Sequence, residues 1–183
     1  MYGIVSEYCT SSACAAMTGP GNVQYSWVDE KGKKSKCPAP QYVDYVMTFT
    51  QNTIHDENVF PTKYGNDFPS SFESVAKKIH RLLFHVLSHI YESHYELIVI
   101  LRLHGHLNTL FQHFMLFNTT HLLLEDKETE ALDELFQKLL GSDRGPADSQ
   151  AQGDTSMNTC HMLDDHRDCQ TESSQSNLQP PEK

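Results

Sequence analysis

The chain has 183 residues, 38% of them hydrophobic and 21% charged, which suits one domain with room for a real core. A formal net charge of −10 argues against non-specific nucleic-acid binding, which needs Lys and Arg to neutralise phosphates. That charge favours a basic partner through long-range attraction, or else marks a plain soluble acidic protein.

Further classes fall away on pattern. No apolar run approaches the roughly 20 residues of a membrane-spanning helix. Met1 to Glu7 lacks the basic region and apolar core of a secretory signal, so the chain reads as intracellular. In a reducing compartment the five cysteines, Cys9, Cys14, Cys37, Cys160 and Cys169, are ligands or free thiols rather than a disulfide framework.

In chain order, Gln24-Tyr25-Ser26-Trp27-Val28 alternates and Lys31-Gly32 supplies a turn, so a short hairpin returns through Ser35-Lys36-Cys37. Pro38 and Pro40 precede Tyr42, Val43, Val46, Phe49 and Ile54, whose spacing predicts an amphipathic helix. Phe60-Pro61 to Phe68-Pro69 forms a loop. Ser70 and Glu73 then fit a capping box, and Val75, Ile79, Leu82, Leu83, Val86 and Ile90 trace one apolar face. Leu97 to Leu101 reads as a buried segment, with a break at Gly105. Leu107, Leu110, Phe111, Phe114 and Phe117 predict another helix, the three phenylalanines as core. Asp126 caps a last helix carrying Leu132, Leu135, Phe136 and Leu139.

These elements predict an all-α bundle with a small β-hairpin over residues 1–140. Residues 141–183 contain no aromatic residue and carry 8 acidic and 3 basic residues. Such a segment buries too little apolar surface to offset its ordering entropy and is expected to be a disordered acidic tail.

Two histidines and two cysteines stand out chemically. Cys9 and Cys14 form a C-x4-C pair, and His89 and His94 form an H-x4-H pair at a helix end. Two thiolates and two neutral imidazoles make a closed tetrahedral zinc site, with no open position for a reactive water. Such a zinc is structural, which disfavours a zinc hydrolase. Residues five apart on a straight helix are rotated by roughly 140°, so His89 and His94 share a metal only if the helix bends or frays near His94. His85 and His89, four apart, face one way more naturally. The spacing alone leaves open two buried thiols and two surface histidines.

The motifs taken together resemble a known family. Tyr8-Cys9-Thr10 with Cys14 and Met17, Tyr25-x-Trp27, and Cys37-x-Ala39-Pro40-x-Tyr42 are similar to the opening of the Mob (Mps-one-binder) kinase-coactivator family. The resemblance continues through Phe60-Pro61, Phe68-Pro69, Phe72, Leu83-Phe84 and His89-Ile90-Tyr91-x-x-His94, and ends with His106-Leu107-Asn108-Thr109 and His113-Phe114. Pro61-Thr62-Lys63-Tyr64-Gly65, Phe68 to Ser74, Leu83 to Leu87 and Leu103-His104-Gly105-His106 look like its second class.

This resemblance implies a Mob-like helical bundle with one structural Zn2+ on Cys9, Cys14, His89 and His94, and no catalytic centre. It implies binding to the basic N-terminal regulatory segment of NDR-type AGC Ser/Thr kinases, with His113 on the kinase-facing surface. A monomer in cytoplasm and nucleus is expected.

Two departures qualify the expectation. The best-studied Mob class reads phosphothreonine through a Lys-Arg-x-x-Arg cluster, and the matching stretch here is Arg81-Leu82-Leu83-Phe84-His85. Only Arg81 keeps a permanent charge, so weak or absent phosphopeptide binding and less recruitment by upstream Hippo-type kinases are expected. Second, the family's first long helix would precede Met1, so the alternative is an N-terminally truncated scaffold with reduced or no kinase binding.

Other clusters carry less. Lys31, Lys33, Lys34 and Lys36 read as a solvated hairpin, and Cys37 as a structural thiol. Cys160, His161, His166 and Cys169 lie in the tail, where no fold arranges them for a metal.

Overall fold

The computed structural model describes residues 2–29 and 31–142; the expected tail and its Cys160, His161, His166 and Cys169 lie outside the described residues. The first helix, α1 (Tyr2–Val5), is short, and two antiparallel pairs follow it. Strands β1 (Thr18–Gly19) and β2 (Val23–Gln24) flank a 3-10 turn at Pro20–Asn22, while β3 (Trp27–Val28) pairs with β4 (Lys34–Ser35). The second pair is the hairpin that the sequence predicts, with Trp27 opposite Ser35. Asp29 shapes its turn by accepting the Lys31 and Lys33 N–H groups at 2.9 and 2.8 Å, and Gly32 supplies a φ of 77°. The first pair was not anticipated, since strands of two residues carry no periodicity.

Four longer elements and one short one make the bundle: α2 (Ala39–Ile54), α3 (Phe72–Ser93), α4 (Tyr95–Ile100), α5 (His104–His121) and α6 (Asp126–Ser142). Pro38 and Pro40 sit at the start of α2, where a missing N–H costs nothing. One face of α2 buries Tyr42, Val43 and Val46 completely. The central α3 buries Ile79, Leu82, Phe84, Val86, Leu87 and Ile90, more of its circumference than the single predicted face. Leu107, Phe111 and Met115 of α5 and Leu132 and Phe136 of α6 close the core. No helix among the described residues is long and apolar enough to cross a membrane.

Several local expectations change. The Ser70–Glu73 capping box does not form: α3 starts at Phe72, and Glu73 accepts Lys77 Nζ at 2.6 Å. At α6 the cap is Glu125 rather than Asp126. The Glu128 carboxylate reaches back to the Glu125 N–H at 3.1 Å, the returning half of a capping box. Of the apolar run Leu97–Leu101, only Ile98 is buried, and Ile100 is 77% exposed. The break falls at Arg102 (φ 56°), and Gly105 lies inside α5. Leu110 and Phe117 face outward instead of joining the core.

Tyr42 offers a direct test of packing. Its hydroxyl lies 2.7 Å from His85 Nδ1, joining α2 to α3 inside the bundle. Tyr42→Phe leaves a half-buried imidazole nitrogen unpaired and is expected to cost about 1–2 kcal/mol, read as a lower urea midpoint with unchanged slope.

Candidate metal centre

Cys9, Cys14, His89 and His94 come together although 80 residues separate each Cys from its nearest His. Their ligand atoms all lie within 4.8 Å of one another, and all four side chains are buried. Backbone turns fix the cysteines. The Cys9 N–H donates to Val5 O at 2.9 Å, the Cys14 N–H to Thr10 O at 2.8 Å, and Cys14 O accepts the Ala39 N–H at 3.0 Å. The last bond ties the loop to the first turn of α2.

The histidines reach the site because the helix stops between them. α3 ends at Ser93, and His94 leaves the helical region at φ −132°, ψ 6°. That turn removes the angular mismatch of a five-residue spacing. The His89 ring is oriented by Thr18 O, 2.9 Å from Nδ1. A carbonyl only accepts, so Nδ1 carries the proton and Nε2 turns its lone pair toward the cysteines.

The donor distances fit a tetrahedron. Cys9 Sγ lies 3.6 Å from His89 Nε2, and Cys14 Sγ lies 3.5 Å from His94 Nε2. Around a zinc with ordinary Zn–S and Zn–N bonds, the S···N edge is about 3.5–3.6 Å. The electrostatics agree. Burial, then the charge of Cys14, pushes the Cys9 thiol up to about 12, so without a cation Cys9 stays protonated. Burial lowers both imidazoles, His94 further through its neighbour His89, which keeps them in the neutral form that ligates. Two soft sulfur donors with two neutral imidazoles are a donor set for Zn2+.

The other residues singled out in the sequence lie elsewhere. Arg81, on α3, grips the Glu128 carboxylate through Nε and through Nη2, the latter at 3.3 Å. His85 stacks on Tyr25 with ring centroids 3.8 Å apart and hydrogen-bonds Tyr42. Burial, reinforced by Arg81, pushes it down to about 4, so it is neutral near pH 7. His113 is exposed on α5. Sequence reasoning missed Glu128. Burial works against its ionisation, but Arg81 and the Glu125 N–H hold its carboxyl below the ordinary range. Its signal was the Glu125-x-x-Glu128 spacing ahead of an apolar helix.

The pattern of the Mob1/phocein family matches residues 1–132 of this chain. The chain belongs to that family. Among characterised relatives, it is 54% identical to MOB kinase activator 2 of Mus musculus over 153 residues, 84% of this chain and 63% of that protein. The protein of the same name in Homo sapiens is 53% identical over 84% of this chain and 64% of its own length. MOB kinase activator-like 2 of Drosophila melanogaster is 56% identical over 135 residues, 74% of this chain but 24% of the fly protein. This Mob-family chain thus spans less than two thirds of the length of these relatives.

Proposed function

We propose that this chain is a non-catalytic regulator that binds the basic N-terminal regulatory segment of an NDR-type AGC Ser/Thr kinase and changes its activity. The observation that carries the reading is its membership in a family whose relatives at 53–56% identity bear the name kinase activator. A structural Zn2+ on Cys9, Cys14, His89 and His94 holds the N-terminal segment against α3. With every tetrahedral position filled by protein atoms, the site has no place for an activated water. The net charge of −10 suits a basic partner, and exposed His113 is assigned as one contact.

Phosphopeptide reading is proposed to be weak. Arg81 is engaged by Glu128, and His85 is neutral and bound to Tyr42. A phosphate would have to displace a carboxylate already held by the guanidinium. A phosphothreonine peptide and its unphosphorylated twin are therefore expected to bind equally, measured by fluorescence anisotropy. A clear preference for the phosphorylated form contradicts the assignment. The binding domain is assigned to residues 1–140, acting as a monomer in cytoplasm and nucleus.

The test of function adds the zinc-loaded chain to an NDR-type kinase and follows phosphate transfer to a peptide substrate. A saturable change in rate that ends at one chain per kinase supports the proposal. An unchanged rate at saturating chain overturns it.

A further inference from the structure

A groove of about 760 Å3 lies between β3, the outer side of α2 and the start of α3. Its walls are aromatic. Trp27 of β3 packs on Tyr45 and Phe49 of α2 with centroids 5.3 and 6.4 Å apart, and all three rings are half-buried and line the groove.

Its charge is acidic. Asp29, Asp44 and Asp56 line it, and Lys78 is its one cation. Asp44 is exposed and has no hydrogen-bond or ion-pair partner among the described residues. Asp29 and Asp56 use Oδ1 to hold their own turns, at Lys31 and Lys33 and at Asn58. Lys78 pairs with none of the three. Its Nζ sits over the Phe49 ring, 4.5 Å from the centroid. The groove thus already holds one cation on an aromatic face and keeps carboxylates in excess.

That combination selects the occupant. An apolar helix would strip water from carboxylates and give nothing back, and an acidic segment is repelled. The three aspartates do not converge as a metal-holding group, so the cation is an organic one. A guanidinium is flat and weakly hydrated, lies on an indole or phenol face, and pairs with a carboxylate along its edge. Carboxylates beside low-dielectric aromatic walls also concentrate the field that draws it in.

We infer that this groove docks an arginine from a basic segment of a partner protein, with the Trp27–Tyr45 wall as its platform and Asp44 as its counter-ion. No metal ligand and no residue of α5, where His113 sits, lines the groove, so the inference does not rest on the kinase reading.

Trp27 is the one tryptophan of the chain, so its fluorescence reports the groove directly. The probe is acetyl-Gly-Arg-Arg-Arg-Gly-amide, titrated into the full zinc-loaded chain at fixed ionic strength. Its control is the same peptide with citrulline for arginine, which keeps the shape and removes the charge. A saturable change in Trp27 emission, with the arginine peptide about tenfold tighter than the citrulline one, is expected. Asp44→Asn should weaken the arginine peptide about threefold or more and leave the citrulline peptide unchanged. The exposed position of Asp44 spares the fold, which an unchanged thermal midpoint checks. Absence of a saturable Trp27 response overturns the inference. So does equal affinity of the two peptides, which would mark an apolar occupant, or an arginine preference that Asp44→Asn leaves intact, which would mark attraction to the acidic chain as a whole.

Discussion

Cys14→Ser is expected to abolish zinc retention at the proposed site and lower the thermal midpoint by at least about 10 °C. Between α1 and β1 the chain is held by isolated turns rather than by helix or strand ladders. Yet this stretch and its flank deliver Val5 and Met17 to the core at 0% and 1% exposure. On the zinc reading, a metal link from Cys9 and Cys14 to His89 and His94 fastens them there. Serine offers a hard, weakly acidic oxygen in place of a thiolate, and three remaining ligands grip a metal far less tightly. With the metal gone, a buried Cys9 thiol and two neutral imidazoles are left with poor partners. Loss of even a few kcal/mol of binding energy moves the midpoint by this much in a chain of this size. Scanning calorimetry with metal analysis on the same sample checks it; an unchanged midpoint and one retained zinc would sink the staple.

Acid is expected to weaken the fold between pH 6.5 and 4, by up to about 3 kcal/mol for each of two histidines outside the metal centre. Burial pushes His80 down to about 4, and burial with Arg81 does the same to His85. Below pH 6.5 the unfolded chain takes up two protons that the folded chain refuses until about pH 4. Stability is therefore full above pH 6.5 and falls as the pH drops through this window. Loss of zinc runs in the same direction, because His89 and His94 must be neutral to ligate. His80→Leu separates the contributions. Urea titrations across this range should show a shallower pH dependence for the variant, smaller by the His80 share. Identical slopes for variant and parent would mean that His80 takes up its proton in the folded state as readily as in the unfolded one.

The long elements were legible because burial imposes a period. Tyr42, Val43 and Val46 on α2, and Leu107 and Phe111 on α5, follow the helical spacing that the sequence displays. The metal centre was legible as residue types, and the resemblance to the Mob family selected among the pairings. Its geometry was not, since the turn at His94 depends on packing rather than on a Pro or Gly. Local signals failed where a competing partner won. Glu73 was drawn to Lys77 instead of capping α3, whereas Glu128 plays the capping role at α6. Hydrophobicity alone misplaced Ile100, Leu110 and Phe117, because which side of a helix faces inward is fixed by its neighbours. His80 gave no signal at all. A histidine stacked on Phe114 in a half-apolar helix reads like any surface histidine until the fold buries it.

The most direct measurement is a calorimetric titration of the zinc-loaded chain with the basic N-terminal segment of an NDR-type kinase, repeated at rising salt. Saturable one-to-one binding that weakens as salt screens the attraction is the predicted result. No heat from a chain shown to be folded and to carry one zinc would contradict the account, and would favour a scaffold that keeps the family fold without the family's kinase contact.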